Sequence, residues 1–224
     1  LILGYYQNNM KISYAITVCN EFVEIQKLMS FLLENKRDKD EIVVLYDQKN
    51  GHEGVEEYLR SHSVNNEFVW FGKDFNDHFA DWKNYLTELC SGDFIFQIDA
   101  DEIPNKILID NLPQIIKENP DNEVYCVPRV NTVEGLTPEH LQKWGWKLTN
   151  DKWINWPDYQ WRIWKNKKEI YWGNKVHEKL YGHSTYAPLP KSEMYAIYHP
   201  KTIEKQDRKS TRLNSSHANI SYAV

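Results

Sequence analysis

Disulfide chemistry is the first thing this sequence lacks. Its three cysteines, Cys19, Cys90 and Cys126, are odd in number and far apart. They fit neither a disulfide framework nor a zinc-binding spacing, which favours a reducing, cytoplasmic setting. Long apolar runs are missing as well: no stretch reaches the length of a membrane span, and the opening residues do not read as a charged, apolar, small-residue leader. There is no excess of positive charge. A formal net charge of −5 argues against a general nucleic-acid binder. Internal repeats and low-complexity linkers are absent too, so the 224 residues read as one α/β domain with enough chain to bury a substantial core. What the chain has in quantity is aromatic residues, 14% of the total, and most of the tryptophans crowd between Trp144 and Trp172.

The most informative stretch is Phe94-Ile95-Phe96-Gln97-Ile98-Asp99-Ala100-Asp101-Glu102-Ile103-Pro104. An apolar run of β-forming residues predicts a buried strand, and it stops abruptly in three carboxylates and a proline. Side chains two apart on an extended backbone point the same way, so Asp99 and Asp101 are expected to share one face at the strand's carboxyl end. That edge is where open α/β sheets bind ligands. Two carboxylates there repel unless a positive group lies between them, and a hard divalent cation with oxygen ligands suits them. The plainer role is an acidic turn that merely ends a strand.

Around this stretch the chain alternates strand and helix. Strands are predicted at Ile12–Val18, Asp40–Tyr46 and Phe68–Phe71, with helices from Phe22 through Leu33, at Val55–Ser61, and from Phe79 through Leu89. Asn20 is the expected N-cap of the first helix. This βα alternation predicts a mostly parallel central sheet with helices on both faces. The second half is less regular. It reads as a helix at Ile107–Glu118, a strand at Val124–Val130, a helix begun by Thr137-Pro138-Glu139, and short aromatic strands at Gln160–Trp164, Glu169–Trp172 and Val176–Tyr181. This half is expected to cover the site.

The two ends are expected to lie outside the domain. Met10-Lys11 precedes the first strand, leaving residues 1–9 as upstream read-through. Residues 207–224 back-translate into a widely used sequencing adapter, which marks them as an artefactual tail. The domain is then residues 10–206, truncated at its C-terminus.

Taken together, these features resemble the family 2 glycosyltransferases, whose GT-A fold is a Rossmann-like nucleotide-sugar domain. The residues that carry the likeness are Thr17-Val18-Cys19-Asn20-Glu21 after the first strand, Asp47 after the second, Lys83-Asn84 in the helix before the acidic strand, and Gly92 through Glu102. Pro157-Asp158-Tyr159-Gln160-Trp161-Arg162 and Val176-His177-Glu178 look like the bacterial lipopolysaccharide-core glucosyltransferase branch. The resemblance implies a UDP-type nucleotide-sugar donor, a glycan or lipid-linked glycan acceptor, an inverting mechanism, and peripheral membrane association through a missing C-terminal part. Donor contacts would fall to Thr17, Asn20, Glu21, Asp47, Lys83, Asn84, Asp99 and Arg162. Ligation of Mn²⁺ or Mg²⁺ would fall to Asp99, Asp101 and His177, with His199 the competing imidazole. The base that takes the acceptor proton would be Asp158 or, second, Glu178. Several of these have plainer roles: a helix cap for Asn20, a turn residue for Asp47 or Asp158, a solvated helix face for Lys83, and core packing for most tryptophans.

Two other classes remain. A nucleotidyltransferase also uses such a sheet and metal-binding carboxylates, but it would show a glycine-rich phosphate loop after the first strand, which Thr17–Glu21 lacks. A Trp-rich carbohydrate-binding module would have no need of an acidic strand end.

Overall fold

A computed structural model of the chain describes residues 10–65, 67–175 and 177–206. The expectations placed on residues 1–9 and 207–224, and on Val176, fall outside the described residues. The first half runs β1 (Ile12–Val18), α1 (Phe22–Asn35), β2 (Glu41–Asp47), α2 (Glu53–His62), β3 (Val69–Lys73), α3 (Phe79–Glu88) and β4 (Phe94–Asp99). The second runs β5 (Ile103–Pro104), α4 (Lys106–Glu118), β6 (Val124–Val127), β7 (Arg129–Glu134), α5 (Pro138–Trp144), β8 (Gln160–Lys165), β9 (Tyr171–Gly173), β10 (Lys179–Tyr181), β11 (Tyr186–Pro188) and β12 (Ile197–Thr202).

Seven strands form the central sheet in the order β11-β6-β8-β4-β1-β2-β3, with β4, β1, β2 and β3 mutually parallel and β8 inserted antiparallel between β6 and β4. The fold is thus mixed α/β with a large, mostly parallel sheet. Both faces of the sheet are buried, and the strands show it by alternation. Ile12, Tyr14, Ile16 and Val18 of β1 enter one core with Ile25, Leu28, Leu59 and Leu112 from α1, α2 and α4. Ala15, Val43, Leu45 and Ile95 face the other side, against Ala80, Trp82 and Leu86 of α3 and Trp172 and Leu180 of the β9–β10 hairpin. Period-two alternation between two apolar layers is why these strands look continuously hydrophobic.

A second, three-stranded sheet of order β5-β12-β7 stands beside the first and contributes to the site below. Among the described residues no helix is long and apolar enough to cross a membrane, and Cys19, Cys90 and Cys126 are in no disulfide.

The structure revises the sequence reading at three points. The residue at the N-cap of α1 is Glu21, not Asn20; its carboxylate accepts from the main-chain N–H groups of Cys19 and Asn20 at 2.9 and 3.1 Å. The run Val124–Val130 is two strands, because Pro128 supplies no N–H and breaks the ladder between β6 and β7. The second half also does more than cover the site, since β6, β8 and β11 belong to the main sheet.

Candidate active site

β4 delivers Asp99 to the carboxyl edge of the sheet, level with Thr17 of β1. The backbone turns immediately afterwards: Glu102 N donates to Asp99 O at 2.9 Å. The strand therefore ends before Asp101, and the two aspartates take different partners. The expectation of one shared strand face does not hold, because the second residue of the pair lies in a turn rather than in the pleat.

Asp99 uses both oxygens. Oδ1 accepts from Gln97 Nε2 at 2.9 Å and Thr17 Oγ1 at 3.2 Å, and Oδ2 accepts from Arg162 Nη2 at 2.8 Å. Arg162 comes from β8, the strand antiparallel to β4, and its side chain is only 4% exposed. Burial opposes charge on Asp99, but the Arg162 guanidinium and Lys83 outweigh it and hold the carboxyl well below the ordinary carboxylate range. The same Arg162 Nη2 donates to Glu102 Oε1 at 2.5 Å, and Glu102 is fully buried. Glu102 also takes Arg129 Nη1 at 3.1 Å, and Arg129 closes on Asp158 Oδ2 through Nε and Nη2 at 2.9 and 2.6 Å. A line of alternating charge, Asp99–Arg162–Glu102–Arg129–Asp158, thus crosses the site. Asp158 further accepts from Asn131 Nδ2 and Gln160 Nε2, each at 2.8 Å. Its partial burial works against ionisation, yet Arg129 and these amides hold its carboxyl low.

Asp101 looks the other way, into the small sheet. β7 and β12 pair in parallel with His199 opposite Asn131, so the two side chains sit abreast. His199 Nδ1 lies 2.8 Å from Asn131 Oδ1, and Nε2 lies 3.4 Å from Asp101 Oδ2. Burial lowers the His199 pKa in spite of the neighbouring carboxylates. Lys205 Nζ reaches Asp101 Oδ2 and Glu24 Oε1, both at 3.2 Å. Beside His199 opens a cavity of about 220 Å³ lined by Arg129, Asn131, Trp146, Asp158 and Lys201 among others.

The other candidates are placed as follows. Asp47 is buried and binds the loops at the sheet edge: Oδ1 accepts from the N–H groups of Lys49, Asn50 and Phe75, and Oδ2 from Asn50 Nδ2. Lys83 pairs with Glu178 at 3.1 Å and lies 4.3 Å from the centre of the Trp172 ring. The Asn84 amide is spent on the Trp172 main chain, with bonds of 2.8 Å in both directions, and so fastens β9 to α3. His177 is exposed in the turn before β10 at φ 55°. The imidazole set against Asp101 is His199, because β12 carries it there as the neighbour of β7.

Among the described residues no three His, Cys, Asp or Glu side chains form a ready-made metal cage. Asp101 and His199 nonetheless present an oxygen and a ring nitrogen to one point. One or two carboxylates completed by substrate phosphates are the usual provision for Mg²⁺, which Asp101 can supply, and a first-row divalent ion would also accept the His199 nitrogen, either one displacing Lys205 Nζ from Asp101 Oδ2. Glu102, Arg129, Asn131 and Lys205 are site residues that sequence reasoning passed over. Glu102 stood inside the acidic motif, and its neighbours' charges were the one available signal.

A family model described as Glycosyl transferase family 2 matches residues 13–186. Comparison with curated proteins returns no match. Among solved structures, S. aureus TarS 1-349 in complex with UDP-GlcNAc aligns with a TM-score of 0.57 at 13% identity, over 86% of this chain and 59% of that one. The same protein in complex with UDP aligns at 0.55 and 13%, over 85% and 60%. S. aureus TarS aligns at 0.57 and 14%, over 85% and 37%. This chain therefore spans less than two thirds of the length of those proteins, and at such identity the likeness is one of fold.

Proposed function

The chain belongs to glycosyl transferase family 2, and from that membership we propose that it moves a sugar from a UDP-linked donor onto a glycan or lipid-linked glycan, inverting the anomeric carbon. The observation that carries this reading is the pair of carboxylates at the carboxyl edge of β4: Asp99 neutralised by Arg162, and Asp101 aimed with His199 at a common point. A parallel sheet directs such an edge at a nucleotide.

In this reading Asn20, Glu21 and Asp47 border the nucleoside, Thr17 and Asp99 face the ribose, and Lys83 and Arg162 place positive charge toward the diphosphate, with Asn84 steadying Lys83's helix. Asp101 and His199, with Asp99 beside them, would hold Mn²⁺ or Mg²⁺, which when bound supplies positive charge to the diphosphate leaving group. The acceptor hydroxyl enters from the cavity beside His199. As its oxygen bonds to the anomeric carbon and the bond to the diphosphate breaks, its proton passes to a carboxylate on the acceptor side. Asp158 lines that cavity. Its Oδ2 is taken by Arg129 and Asn131, so Oδ1, bonded only to Gln160 among the hydrogen bonds above, is the basic atom. Glu178, beside Lys83, is the second candidate. The resemblance of Pro157–Arg162 to lipopolysaccharide-core enzymes supports bacterial surface glycans as the acceptor class. Three cysteines outside any disulfide support a cytoplasmic site of action.

Calorimetric titration of UDP with and without Mn²⁺ tests this directly. Tight UDP binding that needs Mn²⁺ and disappears in Asp101→Asn, with unchanged thermal unfolding, is the expected result. Glycan binding without any nucleotide binding would refute it in favour of a carbohydrate-binding module.

A further inference from the structure

The hydrogen bonds behind His199 leave no freedom in which ring nitrogen carries the proton. Arg129 can only donate, and its Nε and Nη2 fix Asp158 as an ionised acceptor. An ionised carboxylate can only accept, so the group that Asn131 turns to Asp158 Oδ2 at 2.8 Å is its NH₂. That orientation aims Asn131 Oδ1 at His199 Nδ1, 2.8 Å away, and the amide oxygen can only accept. Nδ1 must therefore bear the hydrogen. In a ring with a single proton Nε2 is then bare, and its lone pair faces Asp101 Oδ2 across 3.4 Å. Two acceptors face one another there; Lys205 Nζ, 3.2 Å from Asp101 Oδ2, meets the carboxylate but is not paired with the ring nitrogen, and a divalent cation would take both lone pairs. Imidazoles that bind metals are held in this manner, with the far nitrogen donating to a fixed acceptor.

We propose that Asn131 is a positioning residue: held by Asp158 and Arg129, it locks His199 in the Nδ1–H form and so turns the Nε2 lone pair toward Asp101 as one half of a divalent-cation site. The pairing of β7 with β12 makes this possible, since His199 and Asn131 are direct partners in the parallel register. Arg129, two residues before Asn131 on the same strand, is itself fixed from the other side by buried Glu102. The inference rests on the metal reading above, but it has a separate test.

That test is ¹⁵N NMR of histidine-labelled, metal-free full chain at about pH 8, above the ordinary histidine pKa, with His199 assigned by its loss in His199→Gln. The Nδ1–H pattern is expected. An Nε2–H or doubly protonated ring would overturn the proposal without any need of a variant. In Asn131→Leu the ring should change to Nε2–H, donating to Asp101, and Mn²⁺ affinity in the presence of UDP should fall about 10–100-fold. Exchanging the pair, Asn131→Asp with Asp158→Asn, restores an acceptor for Nδ1–H and should recover most of that affinity. Unchanged tautomer and Mn²⁺ affinity in Asn131→Leu would refute the role of Asn131. A wild-type chain with the Nδ1–H ring but no Mn²⁺ binding would support the lock and overturn the metal reading instead.

Discussion

Arg162→Met is the perturbation with the largest calculable consequence. It deletes the guanidinium shared by Asp99 and Glu102, whose side chains are 36% and 0% exposed. Glu102 is then left with Arg129 at 3.1 Å and the Asp99 N–H at 3.2 Å, and Asp99 with the neutral donors Thr17 and Gln97 and the charge of Lys83. Removing one partner of a buried ion pair costs about 3–5 kcal/mol. For a domain of this size that is a fall in Tm of about 6–20 °C. The pH dependence supplies the sharper test. In the native protein the folded pKa of Asp99 is lowered, so its contribution is present above the unfolded value of about 3.9 and is lost only as pH falls through the folded value. In the variant Lys83 remains, but without the guanidinium burial and the Asp101 charge push the Asp99 pKa up from its native value, so the variant loses stability relative to the native protein as pH rises through the variant's value. The gap between the two proteins should widen from about pH 5 to about pH 8 in urea unfolding. Arg162→Lys keeps the charge but loses the fork, and it should lie between them. A gap below about 1 kcal/mol, as for an exposed pair, or one equal at both pH values, would refute the reasoning.

Two further outcomes follow from other parts of the molecule. Glu41, at the far end of β2 from the site, accepts from Lys11, Ser13 Oγ and both Ser91 donors; these overcome its burial and hold its pKa at about 2. Its stabilisation exists above the unfolded pKa and is lost as pH falls toward 2. Glu41→Gln should therefore lower Tm at neutral pH, match the native protein near that acid limit, and leave UDP affinity untouched, whereas a weakened UDP affinity would contradict this placement. Asp158→Asn should cut sugar transfer by about 10²–10⁴-fold with nearly unchanged UDP binding; if Glu178→Gln gives that signature and Asp158→Asn does not, their roles are exchanged.

The first half of the fold was legible because each βα unit states itself twice. Ile12–Val18 and Phe94–Asp99 are apolar runs cut off by polar residues, and the following helices carry apolar residues at helical spacing. The second half was harder because its signals are short or interrupted. Pro128 splits one apparent strand, and Pro200 conceals β12 entirely. That proline is tolerated because β5 pairs only as far as Tyr198, leaving β7 as the sole neighbour in the sheet at Pro200. In the site, the acidic motif was readable and the resemblance named Arg162 and His199 among the candidates, but which carboxylate each one meets was not readable, and Arg129 was not named at all. Arg162, Arg129 and His199 reach Asp99, Glu102 and Asp101 through strand pairings distant in sequence, and spacing alone does not record them. The same limit explains why Asn84 read as a ligand contact: an amide beside a lysine in a helix looks alike whether it faces a diphosphate or the main chain of a neighbouring strand.

The position of β12 sets the order in which the molecule can be completed during synthesis. Chains emerge from the ribosome N-terminus first, and β1 to β4 can assemble their parallel core as soon as Asp99 has appeared. Asp101 must then wait while nearly a hundred further residues are translated before His199 arrives between β5 and β7. Until then the nascent domain holds its sheet and its acidic edge but not the imidazole that faces it, so the surroundings of Asp101 are complete only once β12 has joined the small sheet.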